Sequence, residues 1–277
     1  MGTLYIVPTP IGNLEDMTLR GLRILREVSL IAAEDTRTSR VLTRHYDIST
    51  PMTSYHEHNK IAKLDEVFAA LKGGDVALIS DAGTPGISDP GFELIAAAIE
   101  RGHEVVPLPG ASALTTALVG SGLACDRFAY LGFLPRKSAA LRALLAEYAE
   151  RSETLVAYES PYRLAQSLAI IAEVLGDDRR VCVAREVSKK FEEFYRGAAS
   201  ELRETFADDN PRGEVTLVIA GADPGASIWT EAQVIKALAA RLEAGETLSR
   251  AASNVAKLAR WKKKAVYRLG VGGGETE

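Results

Sequence analysis

Three stretches of the 277-residue sequence combine Pro and Gly with small polar residues where apolar runs end. They are Pro8-Thr9-Pro10-Ile11-Gly12-Asn13, the longer Asp81-Ala82-Gly83-Thr84-Pro85-Gly86-Ile87-Ser88-Asp89-Pro90-Gly91, and Pro109-Gly110-Ala111-Ser112. Loops at the carboxyl ends of strands form the ligand crevice of open α/β folds. One such loop alone reads as a surface turn; three at strand ends favour a binding site. None has the form G-x-G-x-x-G, and G-x-x-x-x-G-K-[ST] is absent from the sequence, so dinucleotide and P-loop chemistry lose their support. Groups able to take or steer a proton recur along the chain: Glu34, Asp35, Arg37, His56, His58, Lys137 and Glu159. Plain structural roles compete with chemistry for several of them. Glu34-Asp35-Thr36-Arg37 suits a helix N-cap with its ion pair equally well. Arg136-Lys137 has the composition of a solvated basic turn. His56-Glu57-His58 offers two imidazoles and no third ligand, so an exposed polar loop is favoured over a metal pair. Cys125 and Cys182 lack a CxxC partner, and no metal site or disulfide framework is expected.

The elements that must carry these loops follow from apolar periodicity. A strand over Leu4–Val7 leads through the first loop into a helix with apolar positions Leu14, Leu22, Leu25 and Val28, Asn13 serving as N-cap. A second strand, Leu30–Ala33, stops at Glu34-Asp35-Thr36-Arg37. A helix through Ile61, Leu64, Val67, Phe68 and Leu71 precedes Val76–Ser80, a continuous apolar run of the kind buried on both faces of a parallel sheet. A further helix through Phe92, Ile95 and Ile99, a strand Glu104–Pro107 and a helix Ala111–Val119 complete one α/β domain, residues 1–120. A second α/β domain, 121–222, is expected from strands at Phe128–Phe133, Thr154–Glu159, Arg180–Arg185 and Glu214–Ala220. Helices over Ser138–Glu150, Tyr162–Leu175 and Ala199–Phe206 lie between them, with a polar strand or turn at Glu193–Arg196. Beyond a linker at Gly221–Ala226, residues 228–277 read as a small helical module with helices Glu231–Leu242, Leu248–Ala259 and Lys262–Leu269, ending in a frayed Gly-rich tail.

Nearly half the residues are apolar and a quarter are charged, the balance of an ordinary globular protein. No apolar run approaches the roughly 18 residues of a membrane span, and the N-terminus lacks a basic, cleavable leader, so a cytoplasmic protein is expected. The net charge of −4 is unevenly spread. Residues 228–277 hold nine Lys or Arg against five Glu, a balance of +4, leaving 24 basic and 32 acidic residues, −8, in the remainder. Lys262-Lys263-Lys264 beside Trp261 and near Tyr267 could meet RNA phosphates and an exposed base. On charge alone, a solvated helical face explains it as well.

Taken in order, Val7–Leu14, Glu34–Arg37, Ser80–Pro85, Pro107–Gly110, Gly132–Pro135 and Ala184–Glu186 resemble the serial motifs of the ribosomal RNA small subunit methyltransferase I family, within the tetrapyrrole-methylase superfamily. The resemblance runs from Leu4 to about Leu269. It implies the two-domain α/β tetrapyrrole-methylase fold with S-adenosyl-L-methionine in the cleft between the domains, a homodimer, and 2'-O-methylation of a cytidine of 16S rRNA in the decoding region of the small ribosomal subunit. It places the cofactor against Pro10, Gly12, Asp81, Ala82, Gly83, Thr84, Pro85, Ser112 and Ala113, and it assigns the C-terminal module to RNA contact. Where the superfamily's first loop is usually G-x-G-P-G-D, this chain keeps only Gly12 in place, so contacts to a tetrapyrrole do not carry over.

A sulfonium methyl is already activated, so the implied reaction needs a held oxygen nucleophile, a dry pocket and help with the hydroxyl proton. Asp35, Arg37 and His56 rank first for that help. The rival readings are a methyltransferase acting on a small tetrapyrrole or corrin precursor and a non-catalytic ribosome-binding factor.

Overall fold

The computed structural model describes residues 2–59, 61–207, 212–223, 229–259 and 261–272. Residues 1–221 and 222–277 form two compact units. Parts of the expected linker, Arg260 and the final Gly-rich residues lie outside the described residues.

The first half of the larger unit alternates strand and helix: β1 Leu4–Ile6, α1 Leu19–Glu27, β2 Leu30–Ala33, α2 Thr36–His45, β3 Met52–Ser54, α3 Leu64–Gly73, β4 Val76–Ile79, α4 Phe92–Glu100 and β5 Val105–Pro107. The strands form one parallel sheet in the order β3-β2-β4-β1-β5. Alternate side chains of each strand reach opposite faces. Leu4, Ile6, Val76 and Leu78 pack with Val67, Phe68, Leu71 and Leu94 of α3 and α4. Val7, Ala77 and Ile79 pack with Leu22, Leu25 and Leu42 of α1 and α2. β4 is buried along its whole length, as its unbroken apolar run predicts.

One expectation here is corrected. The helix read from Leu14 is split: Asn13 caps only a 3-10 turn, Leu14–Asp16, by accepting the Glu15 N–H, while Thr18 caps α1 through the Gly21 N–H. Helix α2 and edge strand β3 occupy a stretch that the sequence left unassigned.

The second half contains α5 Ala113–Ser121, β6 Phe128–Phe133, α6 Ser138–Tyr148, β7 Thr154–Glu159, α7 Leu164–Leu175, β8 Arg180–Arg185, β9 Glu193–Ala198, α8 Ala199–Thr205 and β10 Val215–Ile219. Its sheet has the order β6-β7-β10-β8-β9; only β6 and β7 run parallel, the other pairs being antiparallel. Helices α6, α7 and α8 cover one face through Leu141, Leu145, Leu168, Ile171 and Leu202 against Leu155, Val183 and Leu217. The other face, Val156, Cys182, Ala184 and Val218, is covered by Leu114, Ala117 and Leu118 of α5. A boundary at residue 120 therefore falls within the last turn of a helix that packs on the second sheet. The face that α5 covers stands across from the loops of the first sheet.

In the smaller unit α9 Glu231–Glu243, α10 Leu248–Ala259 and α11 Lys263–Gly272 bury Val234, Leu238, Val255 and Val266 among small alanines. Trp261 packs against this core and donates its indole N–H to the Trp229 carbonyl at 2.8 Å. Trp261 is thus a structural residue, which removes it from the aromatic pair read as a stacking platform; Tyr267 remains exposed. Among the described residues, no helix is long and apolar enough to cross a membrane.

Candidate active site

Because β4, β1 and β5 are neighbours, the three Pro/Gly loops that leave their carboxyl ends lie edge to edge. Thr9 and Gly83 exchange both backbone hydrogen bonds at 2.9 Å, and the Thr9 hydroxyl donates to the Ser80 carbonyl at 3.0 Å. The Thr84 hydroxyl ties the second loop to the third by donating to the Ala111 carbonyl at 3.1 Å. Pro8 lies so close to Gly110 that a Cβ there would come within 2.5 Å of the proline ring. Gly83 sits at φ +79°, a left-handed conformation that an L side chain resists.

These loops form one wall of a cleft of about 350 Å³, within the range of small-molecule sites. Ile11, Ala82, Gly83, Thr84, Ser88 and Asp89 face it from the first sheet, with Ser112 and Ala113 at the start of α5. Phe133, the segment Tyr158–Pro161, Val187 and the segment Gly213–Thr216 face it from the second sheet. The first-turn N–H groups of α5 point at this end of the helix, a natural seat for a carboxylate. A smaller recess of about 250 Å³ opens beside the first loop, lined by Pro10, Gly12, Thr38, Ser39 and Asp81 among others.

Of the cofactor residues expected from sequence, Ala82, Gly83, Thr84, Ser112 and Ala113 come together in the main cleft; Pro10, Gly12 and Asp81 border the neighbouring recess. Pro85 is buried and lines neither. Asp35, Arg37 and His56 line neither cavity. Asp35 is the N-cap of α2, accepting the Arg37 backbone N–H at 2.8 Å, and its carboxylate is gripped by the Arg37 guanidinium at 2.7 Å. That grip lowers its pKa from the ordinary 3.8 to about 2, which makes it a weak proton acceptor. The structural reading prevails for this pair. Asn caps as well as Asp but lacks the charge that Arg37 pairs with, so at pH 7 Asp35→Asn should melt between the parent and Asp35→Ala, measured by scanning calorimetry. Because the folded value lies below the unfolded one, the contribution is present above about pH 4 and is lost as pH falls toward 2.

Sequence reasoning missed the carboxylate that differs most from its ordinary state. Burial, then the nearby Glu34 carboxylate, pushes Asp89 up to about 7, opposed by the Ser80 hydroxyl and reinforced by Asp81. Burial likewise raises Glu34, whose carboxylate accepts the Asp81 N–H at 3.2 Å. Tyr130 and Tyr158, stacked edge to face at 5.4 Å, are both raised, chiefly by burial. Glu159, named from sequence as a proton-handling candidate, also lines the cleft. It is committed elsewhere: it accepts from the Arg163 guanidinium at 2.8 Å, from its neighbour Ser160 N–H at 2.6 Å and from the Ser167 hydroxyl.

A parallel sheet joined to a mixed sheet, with Pro/Gly loops walling the cleft between them, defines the class, and the sequence pattern of the Tetrapyrrole (Corrin/Porphyrin) Methylases matches residues 3–203. The chain is 45% identical to the Ribosomal RNA small subunit methyltransferase I of Synechocystis sp. over 271 residues, 97% of each chain. It is 48% identical to the protein of that name in Bacillus subtilis over 224 residues, 80% of this chain and 76% of the relative. Within the tetrapyrrole methylases, the chain belongs to the ribosomal RNA small subunit methyltransferase I family. A solved uroporphyrin-III C-methyl transferase from Thermus thermophilus, complexed with S-adenyl homocysteine, shares the fold. Its TM-score is 0.57 at 17% identity, covering 78% of this chain and 97% of that one.

Proposed function

We propose that this protein transfers the methyl group of S-adenosyl-L-methionine to the ribose 2'-hydroxyl of a cytidine in the decoding region of 16S rRNA. The observation that carries the reading is the convergence of the three loops on one cleft, in a chain that aligns with small-subunit rRNA methyltransferases nearly end to end. The cleft suits the cofactor. Thr84, Ser112 and Thr216 offer hydroxyls, Ile11 and Val187 an apolar wall, and α5 an N-terminus for the methionine carboxylate. The bound cofactor supplies an activated methyl group; the chain's part is to hold it, orient the ribose oxygen and exclude water. Phe133, 66% exposed at the cleft, and Tyr162, 81% exposed beside the cleft-lining Pro161, present aromatic surface on which a single unstacked base could rest. A homodimer and a cytoplasmic location belong to the same reading; sedimentation at micromolar concentration checks the first.

The test is transfer of a radiolabelled methyl group to small ribosomal subunits lacking their own modifications, followed by nuclease mapping. Label on one cytidine ribose is expected. Label absent from subunits and RNA but present on a tetrapyrrole precursor would overturn the reading.

The C-terminal module adds a second expectation. Lys262, Lys263 and Lys264 are exposed at the N-terminal end of α11, where the helix dipole disfavours positive charge, so their placement does not serve helix stability. An external anion such as RNA phosphate accounts for them. Replacing all three with Glu should leave cofactor affinity intact and the melting temperature no lower. It should reduce the salt dependence of subunit binding by about two units of log–log slope. Unchanged binding would remove these lysines from RNA recognition.

A further inference from the structure

We propose that the recess beside the first loop receives the base of the methyl-accepting nucleotide, and that Asp81 and Ser39 read that base as cytosine. The proposal rests on the function argued above and adds the site that selects the base. Pro10 and Leu14 from the first loop and its 3-10 turn, with Val41 and Leu42 from α2, give the 250 Å³ recess apolar walls. Its polar lining includes one unsatisfied group. Ser39 is 5% exposed, and its hydroxyl has no hydrogen-bond partner. The other buried hydroxyls at the recess are committed: Thr9 donates to the Ser80 carbonyl at 3.0 Å, and Ser80 to the Ala82 and Gly83 carbonyls, each at 3.3 Å. A buried hydroxyl left unpaired is a cost that native folds seldom retain, and a ligand in the recess supplies the missing partner.

Asp81 presents the complementary chemistry. Its Oδ1 accepts the Asp35 backbone N–H at 3.1 Å, which anchors the carboxylate and leaves Oδ2 without a hydrogen-bond partner among the described residues. A carboxylate accepts from the N4 amine of cytosine, the pairing by which acidic side chains recognise that base. Uracil puts a carbonyl oxygen at the same position, which a carboxylate repels. The Ser39 hydroxyl, donating, matches the N3 acceptor next to the amine. The place of the recess also suits transfer, because it shares a wall with the main cleft. Along the first loop Ile11 lines the cleft and Pro10 and Gly12 the recess; along the second, Asp81 lines the recess and Ala82 and Gly83 the cleft. A nucleotide with its base in the recess carries its ribose over this shared rim, toward the cofactor. Drawing a base out of its stack and holding it among apolar side chains is how enzymes that modify nucleotides gain access to them. Arg37 pairs with Asp35 through Nε and Nη2, and its charge is felt at Asp81, so Nη1 is left for the phosphate of the same nucleotide. Phe133 and Tyr162 then serve a neighbouring base.

The test is single-turnover transfer, at saturating S-adenosylmethionine, to unmodified small subunits carrying either the target cytidine or a uridine in its place. The parent should favour cytidine by roughly 10- to 100-fold. In Asp81→Asn the Asp35 N–H still requires an acceptor at the Oδ1 position, so the amide NH2 takes the place of Oδ2. There it donates to the uracil carbonyl and opposes the cytosine amine, and the cytidine-to-uridine rate ratio should fall by roughly tenfold or more. A role confined to the fold of the loop would slow both substrates and leave the ratio unchanged. Ser39→Ala should slow transfer to cytidine by roughly threefold to tenfold. Its melting temperature should be no lower than the parent's, because the hydroxyl removed has no partner in the free protein. A parent that transfers equally to both subunits, a parental ratio in Asp81→Asn, or a parental rate in Ser39→Ala overturns the pocket and leaves the function standing. No label on either subunit from the parent overturns the function, and the pocket with it.

Discussion

Gly83→Val should lose S-adenosylmethionine binding by on the order of 100-fold or more, about 3 kcal/mol, while the protein still folds. Space is not the obstacle: a Cβ at Gly83 would meet Ile11 Cγ2 at 3.4 Å and the Ala111 carbonyl at 3.8 Å, ordinary contacts. The backbone is. At φ +79° an L residue costs roughly 1–2 kcal/mol, and a β-branched one more, so the loop would relax toward negative φ. Relaxation breaks the reciprocal 2.9 Å bonds between Gly83 and Thr9 and moves Ala82 and Thr84 off the cleft wall. The cores of β1 and β4 lie below the loop and stay packed. Calorimetric titration and a thermal melt on the same sample separate the two effects. Parental affinity in a folded variant would remove this loop from the cofactor site.

The same loops show what a sequence discloses and what it withholds. Phe128–Phe133, Thr154–Glu159 and Arg180–Arg185 were legible to the residue because each is an apolar run closed by turn-forming or charged residues. Helix α2 was not, because its buried contacts come down to Ser39, Leu42 and Thr43, too few to print a 3.6-residue period. Edge strand β3 has three residues and one buried position, so no alternation can be read from it. The antiparallel pairing of β7, β10, β8 and β9 leaves no mark in a list of strands. At the site, the first-sheet wall was legible because close backbone approach demands Gly and Pro. The opposite wall was less legible: Glu159 stood out by type, but Tyr158, Val187 and residues 214–216 carry no such demand. Asp89 lay inside a loop that the sequence singled out, yet its chemistry arises from burial against Glu34, 55 positions earlier in the chain, a proximity no local pattern encodes. Asp35 and Arg37 had the reverse history: residue types suited to catalysis, used to cap and brace α2.

Glu159→Ala is expected to destabilise the protein by about 3 kcal/mol, at the lower end for breaking one side of a buried ion pair. Glu159 is 4% exposed and satisfies the Ser160 N–H, the Ser167 hydroxyl and the Arg163 guanidinium together. Arg163 in turn donates to the Leu134 and Pro135 carbonyls at 3.0 and 3.2 Å, so this carboxylate braces the exit of β6 and the Ser160-Pro161 turn that lines the cleft. Truncation leaves the guanidinium with only these carbonyls and some solvent, which places the loss at the lower end. For a unit of this size it corresponds to a fall in melting temperature of roughly 6–12 °C. A change of less than about 2 °C would mean that the pair contributes nothing net. Glu159→Gln keeps the shape and an acceptor for Ser160, so it should melt between Ala and parent and keep most of the cofactor affinity. The decisive comparison is Glu159→Met with Arg163→Met. Removing both charges eliminates the desolvation of each, so the double variant should melt above Glu159→Ala although it has lost one more polar side chain. If the double variant is the less stable of the two, the arginine's carbonyl bonds, rather than its charge pairing, hold this turn in place.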